Sequence, residues 1–573
     1  MALASTSTAR GARPLLGIAA LAVMLAAADT YVVVLALPDM MAGAGLGIQA
    51  LQKGTPIISG FLLGYIAVLP LIGRLADLVP RRHILIACLA IFVVGSAVTA
   101  VAVELPVMVG GRFLQGLGGG GLVPATLALV ADLWPPGRRG MPLGVVGAVQ
   151  ELGAVLGPLL GAAVLLVSTW RAIFWLNVAL GVLCALAIWV LGRGADASIE
   201  DEHTVGKRSS RTVTTLIMVV AIIAVSLTVL ALGAPNALVT SVQYGEPFVP
   251  FGDNAGSRAV TPIGAAAGVA ILALGVLSVG RWLPLLLRAD LLGATLVALA
   301  LGSLVLTFSS ADPEKEVLGP WGLWLLPVGV LALVGFVVRQ RTAAEPLVAP
   351  GVVRGRVGPA LLVSLLVGAA LVAIVVDVPL LARLDGETTQ TQAALVLVRF
   401  LLAVPVGAVL GGLLLHRLGP GLVAAPGLAL AAGALAVMTT WTRGSLAELV
   451  PTTLVLAAAG LGVGLAIAPV NDAALADARD DAHGTVSSLV VVARMVGMVV
   501  GLALLTAVGL RRFYEAVALL PDPTDGNALL DAGVVQVQTV FTGAAIAAGV
   551  AAVLAMLLGR RTSGAERRPR MRG

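Results

Sequence analysis

The chain has 573 residues, 59% hydrophobic and only 12% charged, with a formal net charge of +6. That is more apolar surface than the cores of a soluble protein of this length can hide, and the positive charge follows loops rather than forming a nucleic-acid patch. Cys88 and Cys184 both fall inside apolar runs, so they suggest neither a disulfide framework nor a metal cluster.

Apolar runs of about 20 residues, long enough to cross a bilayer core as helices, recur along the chain. The ten-residue alternation of a β-barrel is missing, which points to an all-α polytopic membrane protein. The first run, 15–37, follows Arg10 and Arg13 like a signal peptide. It is too long for one and carries Asp29, so it reads as a retained first span. Five more follow at 54–73, 84–103, 107–130, 142–166 and 172–191. A second group is predicted at 213–233, 261–282, 290–309 and 320–338. The last six are 359–381, 393–415, 421–440, 451–470, 485–510 and 536–558.

Sixteen spans put both termini on one side of the membrane, and charge selects the side. One set of loops carries Arg74, Arg81, Arg82, Arg138, Arg139, Lys207, Arg208, Arg211, Arg339, Arg341, Arg354, Arg356 and Arg417, and the tail after 559 is arginine-rich. The opposite loops hold scattered cations such as Arg171, Arg258, Lys315 and Arg443. By the excess of cations on cytoplasmic loops, both termini are expected in the cytoplasm. The strong preference for Arg over Lys fits a GC-rich bacterial genome, hence a bacterial inner membrane. Two outer segments stand out. Residues 234–258 form a polar, aromatic connector, and 511–535 begin as an amphipathic continuation of span 15 before a turn-rich stretch.

Three local patterns carry more information. Between spans 2 and 3 the chain reads Gly73-Arg74-Leu75-Ala76-Asp77-Leu78-Val79-Pro80-Arg81-Arg82. Here small residues permit a tight turn, and Asp77 can cap or pair across helix ends. Span 4 holds Arg112-Phe113-Leu114-Gln115-Gly116. Span 5 holds Gly153, Gly157, Pro158 and Gly161, with glycines spaced by four on one face and a proline able to kink the helix. In this order and on these spans they resemble the loop signature, the span-4 signature and the antiporter signature of the major facilitator superfamily. Pro80 stands where the signature usually has a second Gly.

Charges within the spans are the other clue. Asp29, Arg112, Glu151, Asp377, Arg399 and Arg494 interrupt apolar runs. A mid-membrane Asp or Arg costs about 2.5–3.5 kcal/mol on insertion scales, so each needs a partner of opposite charge or a wet cavity. A carboxyl in a cavity that faces each side in turn can carry protons, and arginine can tune it. The four histidines lie in loops or at span ends, which argues against a buried metal or catalytic centre. Asp472, Asp477, Asp480 and Asp481 read as one solvated loop cluster.

Finer stretches resemble the triacylglycerol-exporter family of mycobacteria, within the drug:proton antiporter branch. They include Asp29-Thr30-Tyr31, Gly64-Tyr65-Ile66-Ala67, Gln150-Glu151-Leu152-Gly153, Phe174-Trp175, Asn177, Val376-Asp377-Val378, Leu402 through Val409, and Val490 through Met495. The resemblance covers most of 15–191 and 285–560. It implies two six-helix bundles (1–195 and 355–573) around a central cavity, joined by a linker region at 196–354. It also implies a proton-coupled exporter without cofactor, moving lipid with a periplasmic lipoprotein partner; a monomer is expected because one chain carries both halves. Transport roles fall by resemblance on Asp29, Glu151 and Arg494; Arg112 and Asp377 join them on insertion cost. Gly73, Asp77, Arg81 and Arg82 would form a conformational-switch loop. That family has fourteen spans, so 212–283 looks like an inserted pair. A multidrug antiporter is the competing expectation; the low aromatic content, 4%, leans towards lipid. A membrane scaffold would have no use for the buried acids.

Overall fold

Sixteen long α-helices make up nearly all of the residues described in the computed structural model, namely 4–45, 51–135, 137–196, 211–235, 246–249, 257–309, 321–384, 390–522 and 525–559. The first six are α1 (Ala4–Gly43), α2 (Leu51–Leu78), α3 (Arg81–Val101), α4 (Leu105–Leu133), α5 (Gly140–Val167) and α6 (Trp170–Asp196). Next come α7 (Arg211–Gly233), α8 (Pro262–Arg288), α9 (Leu291–Ser309) and α10 (Gly322–Thr342). The remaining six are α11 (Val357–Leu384), α12 (Gln390–Leu418), α13 (Pro420–Met438), α14 (Leu449–Ala476), α15 (His483–Ala518) and α16 (Gly526–Ala555). Each predicted span falls on one helix. Fourteen helices are long and apolar enough to cross a membrane, and α1 and α9 contribute the shorter apolar stretches Pro14–Thr30 and Leu291–Thr307.

The packing of the first six helices repeats in the last six. The pairs α2–α4, α3–α4, α1–α5, α1–α6 and α3–α6 recur as α12–α14, α13–α14, α11–α15, α11–α16 and α13–α16. Small residues allow these close contacts. In α4, Gly116 and Gly120 lie against the α2 backbone at Phe61 and Tyr65, where a Cβ would collide. A mid-helix glycine costs roughly 0.5–1 kcal/mol against alanine, and close interhelical packing offsets it in a bilayer.

The two sets meet through α5–α12, α2–α15, α4–α15 and α5–α14. The pair α7–α8 packs on the outside through α7 on α3, whereas α9–α10 packs through α9 on α2. Large side chains such as Leu272, Val276, Leu323 and Trp324 are exposed on α8 and α10. Such surfaces are untenable in water and suited to acyl chains.

The outer segments match expectation at α15 and depart from it at the start of α16. Helix α15 continues to Ala518, as the amphipathic reading of 511–518 requires. Its 36 residues span about 54 Å at 1.5 Å per residue, well beyond a bilayer core of about 30 Å. But α16 begins at Gly526, ten residues ahead of its predicted start, because Asp525 caps it by accepting from the Asn527 backbone N–H at 2.9 Å. Most of the 234–258 connector lies outside the described residues.

Candidate functional site

Asp29 sits near the middle of α1, 1% exposed, and its carboxylate is fully engaged. Arg112 of α4 donates from Nη1 to Oδ2 at 2.5 Å. Asn177 of α6 donates to Oδ1 at 2.5 Å, and Gln115 reaches the same oxygen at 3.4 Å. Arg112 also bonds Gln115 Oε1 at 2.9 Å and the Ile57 carbonyl at 3.4 Å, with Phe61 stacked 4.5 Å from its guanidinium carbon. Gln115 in turn donates to Ser96 Oγ at 2.7 Å. One ion pair thus ties together α1, α2, α3, α4 and α6. Arg112 and Gln115 share a helix face three residues apart, the one sequence signal that the two act together.

Glu151 and Arg494 form the second intramembrane pair, across the two halves, with Nη1 and Oε1 3.8 Å apart. That distance is an ion pair but not a hydrogen bond. Helix α5 holds Glu151 by packing tightly on α1: a Cβ on Gly153 would meet the Met24 carbonyl, and one on Gly157 the Ala28 carbonyl. Gly153 and Gly157 thus lie in the α1–α5 seam, and Pro158 follows half-buried and Gly161 buried.

Two chambers border Arg494, and Glu151 lines one of them. One lies between α1, α2, α5, α11 and α15; Phe61, Tyr65, Glu151, Leu371 and Met498 are among its walls. The other runs between α4, α5, α11, α14 and α15, past Leu127, Leu143, Val367, Val470 and Asn471. Val123, Gln150 and Arg494 line both. Asp29 and Arg112 line neither, so two acids with the same insertion cost occupy different surroundings.

Asp377 is also outside both chambers. It is 2% exposed within α11, and its Oδ2 has no hydrogen-bond partner. Arg399 does not approach it within ion-pair distance; its Nη1 donates to Thr452 Oγ1 at 3.2 Å.

At the end bearing the basic loops the halves are latched. Asp77, at the end of α2, accepts from the backbone N–H groups of Gly484 at 2.7 Å and Thr485 at 2.9 Å, and from the Thr485 hydroxyl at 2.6 Å. These are the unpaired donors of the first turn of α15, where the helix dipole favours an anion. Arg81 bridges Asp77 at 3.5 Å and Asp132 at 3.1 Å, and His483 approaches Asp132 at 3.5 Å. Gly73 and Gly484 let the helices touch, because a Cβ on Gly73 would collide with Ser488 Oγ and one on Gly484 with the Gly73 carbonyl. Arg82 is half-buried on the first turn of α3. Pro80 fits here because it is the residue before α3, at φ −51°, where no helical N–H is required.

Asp77→Asn should weaken this latch, since charge-assisted bonds to the helix end contribute about 1.5–3 kcal/mol each. A cysteine at Val470 should then react roughly tenfold faster with an impermeant maleimide from the basic-loop side. Unchanged labelling would show that Asp77 does not hold the halves together.

The aspartate cluster of the sequence reading divides in the structure. Asp472 belongs to α14, half-buried and within the field of Arg139 and Arg356, not on a solvated loop. Asp477 caps that helix and accepts from the Arg356 backbone N–H at 2.9 Å. Asp477, also ion-paired with Arg356 at 3.8 Å, and Asp481, paired with Arg479 at 2.7 Å, are exposed as expected, and the Asp480 side chain lies outside the described residues.

The chain is similar to several known proteins. The family described as Major Facilitator Superfamily matches residues 19–340. A triacylglyceride transporter of Mycolicibacterium smegmatis is 34% identical, over 95% of this chain and 87% of its own length. One from Mycolicibacterium hassiacum is 37% identical, over 88% and 82%. Among solved structures, the human organic anion transporter MFSD10 (TETRAN) has a TM-score of 0.54 at 16% identity, covering 95% of this chain and 99% of that one. That last likeness is one of fold.

Proposed function

The chain belongs to the major facilitator superfamily of transporters, and from that we propose a proton-coupled exporter that moves triacylglycerol-like lipid out of a bacterial inner membrane. The observation that carries the reading is the cavity: two chambers walled mainly by aliphatic side chains, both bordered by Arg494, whose partner Glu151 lines one of them. Relatives at 34% and 37% identity that bear the name triacylglyceride transporter support the cargo.

In this reading residues 1–195 and 355–573 are the two moving halves, 196–354 is the linker, and 212–283 is an added pair on its outside. The basic-loop end is cytoplasmic, so the conformation described is closed to the cytoplasm by the Gly73-Asp77-Arg81-Arg82 latch. Protonation of Glu151 removes its attraction to Arg494 and lets the halves separate at the pair. Asp29 with Arg112, and the unpaired Asp377 in the opposite half, are further protonation-sensitive points. A monomer suffices, since one chain carries both halves, and a periplasmic lipoprotein would receive the lipid.

A multidrug antiporter has one observation in its favour, the grouping of Phe61, Tyr65 and Glu151 in one chamber. Arg494 at 3.8 Å offsets the carboxylate that a cationic drug would need, which favours neutral cargo. The test is complementation of an actinobacterium lacking its own triacylglycerol exporter. Wild type should clear intracellular triacylglycerol and raise the surface pool. A protein that reaches the membrane, leaves the lipid in place and confers drug resistance instead would reverse the order of the two readings.

A further inference from the structure

Resting on the lipid reading, we infer that Gln150, Arg494 and Tyr65 form a hydrogen-bonding waist that reads the ester carbonyls of a neutral glycerolipid, with acyl arms in the chambers on either side.

The placement comes first. Gln150 and Arg494 line both chambers, and Tyr65 lines the one that Glu151 lines, so the polar groups gather where the two apolar spaces share walls. The second point is unused capacity. Among the described residues, the Gln150 carboxamide, the Tyr65 hydroxyl and the Arg494 guanidinium make no hydrogen bond; Arg494 has only its 3.8 Å ion pair with Glu151. Other polar groups nearby are already occupied. Ser364 donates to the Val490 carbonyl at 2.8 Å, Thr30 to the Ala26 carbonyl at 3.0 Å, and Asn471 to the Ile467 carbonyl at 2.9 Å.

The chemistry of the ligand follows. The waist offers two amide N–H groups, one phenol O–H and a five-donor guanidinium, so it is rich in donors. A plain hydrocarbon filling both chambers would strip water from these donors and return nothing, a costly arrangement. A sugar would find its many hydroxyls against aliphatic walls. A fatty acid anion would compete with Glu151 for Arg494. An ester carbonyl accepts without donating and carries no charge, and a glycerol ester sets such carbonyls at the branch point of its apolar arms. Shape and hydrogen-bond sense therefore agree on an ester-centred, multi-chain neutral lipid.

The experiment uses the full chain in lipid nanodiscs with tritiated triolein, displaced by unlabelled triolein or by the trialkyl ether of glycerol with the same chains. The ether keeps the arms and lacks the carbonyls. Wild type should bind the ether about tenfold more weakly than the ester, because the donors stay unpaired. Gln150→Met, close in size and without the amide, should narrow that ratio to about threefold or less. Tyr65→Phe, which removes one oxygen, should narrow it in the same direction and guards against a folding defect in the first variant. Equal competition by ester and ether on wild type, or a ratio that neither substitution changes, overturns the waist and leaves the lipid reading standing. No displaceable triolein binding to well-folded wild type overturns the lipid reading, and the waist with it.

Discussion

Glu151→Gln is expected to abolish gradient-driven lipid export while the protein still accumulates in the membrane at wild-type level. The substitution keeps size and hydrogen-bonding atoms but cannot take up or release a proton. Stability should change little, because Glu151 makes no hydrogen bond to Arg494 at 3.8 Å and Arg494 borders both chambers. Coupling, by contrast, depends on the ionised and neutral forms of one carboxyl pairing differently with one guanidinium. In proteoliposomes, wild type should move lipid when a pH gradient is imposed. The variant should fall to the level of protein-free vesicles, yet still exchange lipid in the absence of a gradient. Gradient-driven transport that survives the substitution would remove Glu151 from the coupling step.

Much of the fold was readable in the residues because a bilayer permits few solutions. A span must be a helix about 20 residues long, so hydropathy alone located the sixteen helices, fourteen of which are long and apolar enough to cross a membrane. Helix ends beyond the membrane follow other rules. The early start of α16 depends on an aspartate cap in a turn-rich stretch that hydropathy scores as loop. Insertion cost likewise marked Asp29, Arg112, Glu151, Asp377 and Arg494 without telling them apart. Depth in the membrane is set by position in the chain, whereas surroundings are set by the helix face and by which neighbours that face meets. Asp29 turns towards Arg112, Gln115 and Asn177, while Glu151, on a helix that packs against the same α1, turns towards the other half. Asp472 was misread for a related reason: it is followed by charged residues, but the last turn of α14 carries it inward beside Arg139.

The distinction between the two pairs leads to the largest expected loss of stability. Arg112 is among the largest fully buried side chains of the described residues, and it answers the charge of Asp29 in a site that lines neither chamber. Arg112→Met should cost about 3–5 kcal/mol, because it leaves a buried carboxylate with only amide partners. In a thermal-stability assay of the detergent-solubilised protein this should appear as a steep fall in folded yield and melting temperature. Asp29→Asn alone should also destabilise, since it strands the guanidinium. Combining the two removes both charges and lets an amide keep the bonds to Gln115 and Asn177. A neutral replacement of a buried ion pair is often tolerated, so the double variant should recover most of the stability, with a coupling energy of about 0.5–3 kcal/mol in the cycle. That recovered protein separates structure from transport. If it folds but cannot export lipid against a pH gradient, Asp29 shares the coupling role with Glu151. If it folds and exports, the Asp29–Arg112 pair holds the first six helices together and the proton is carried across the halves alone.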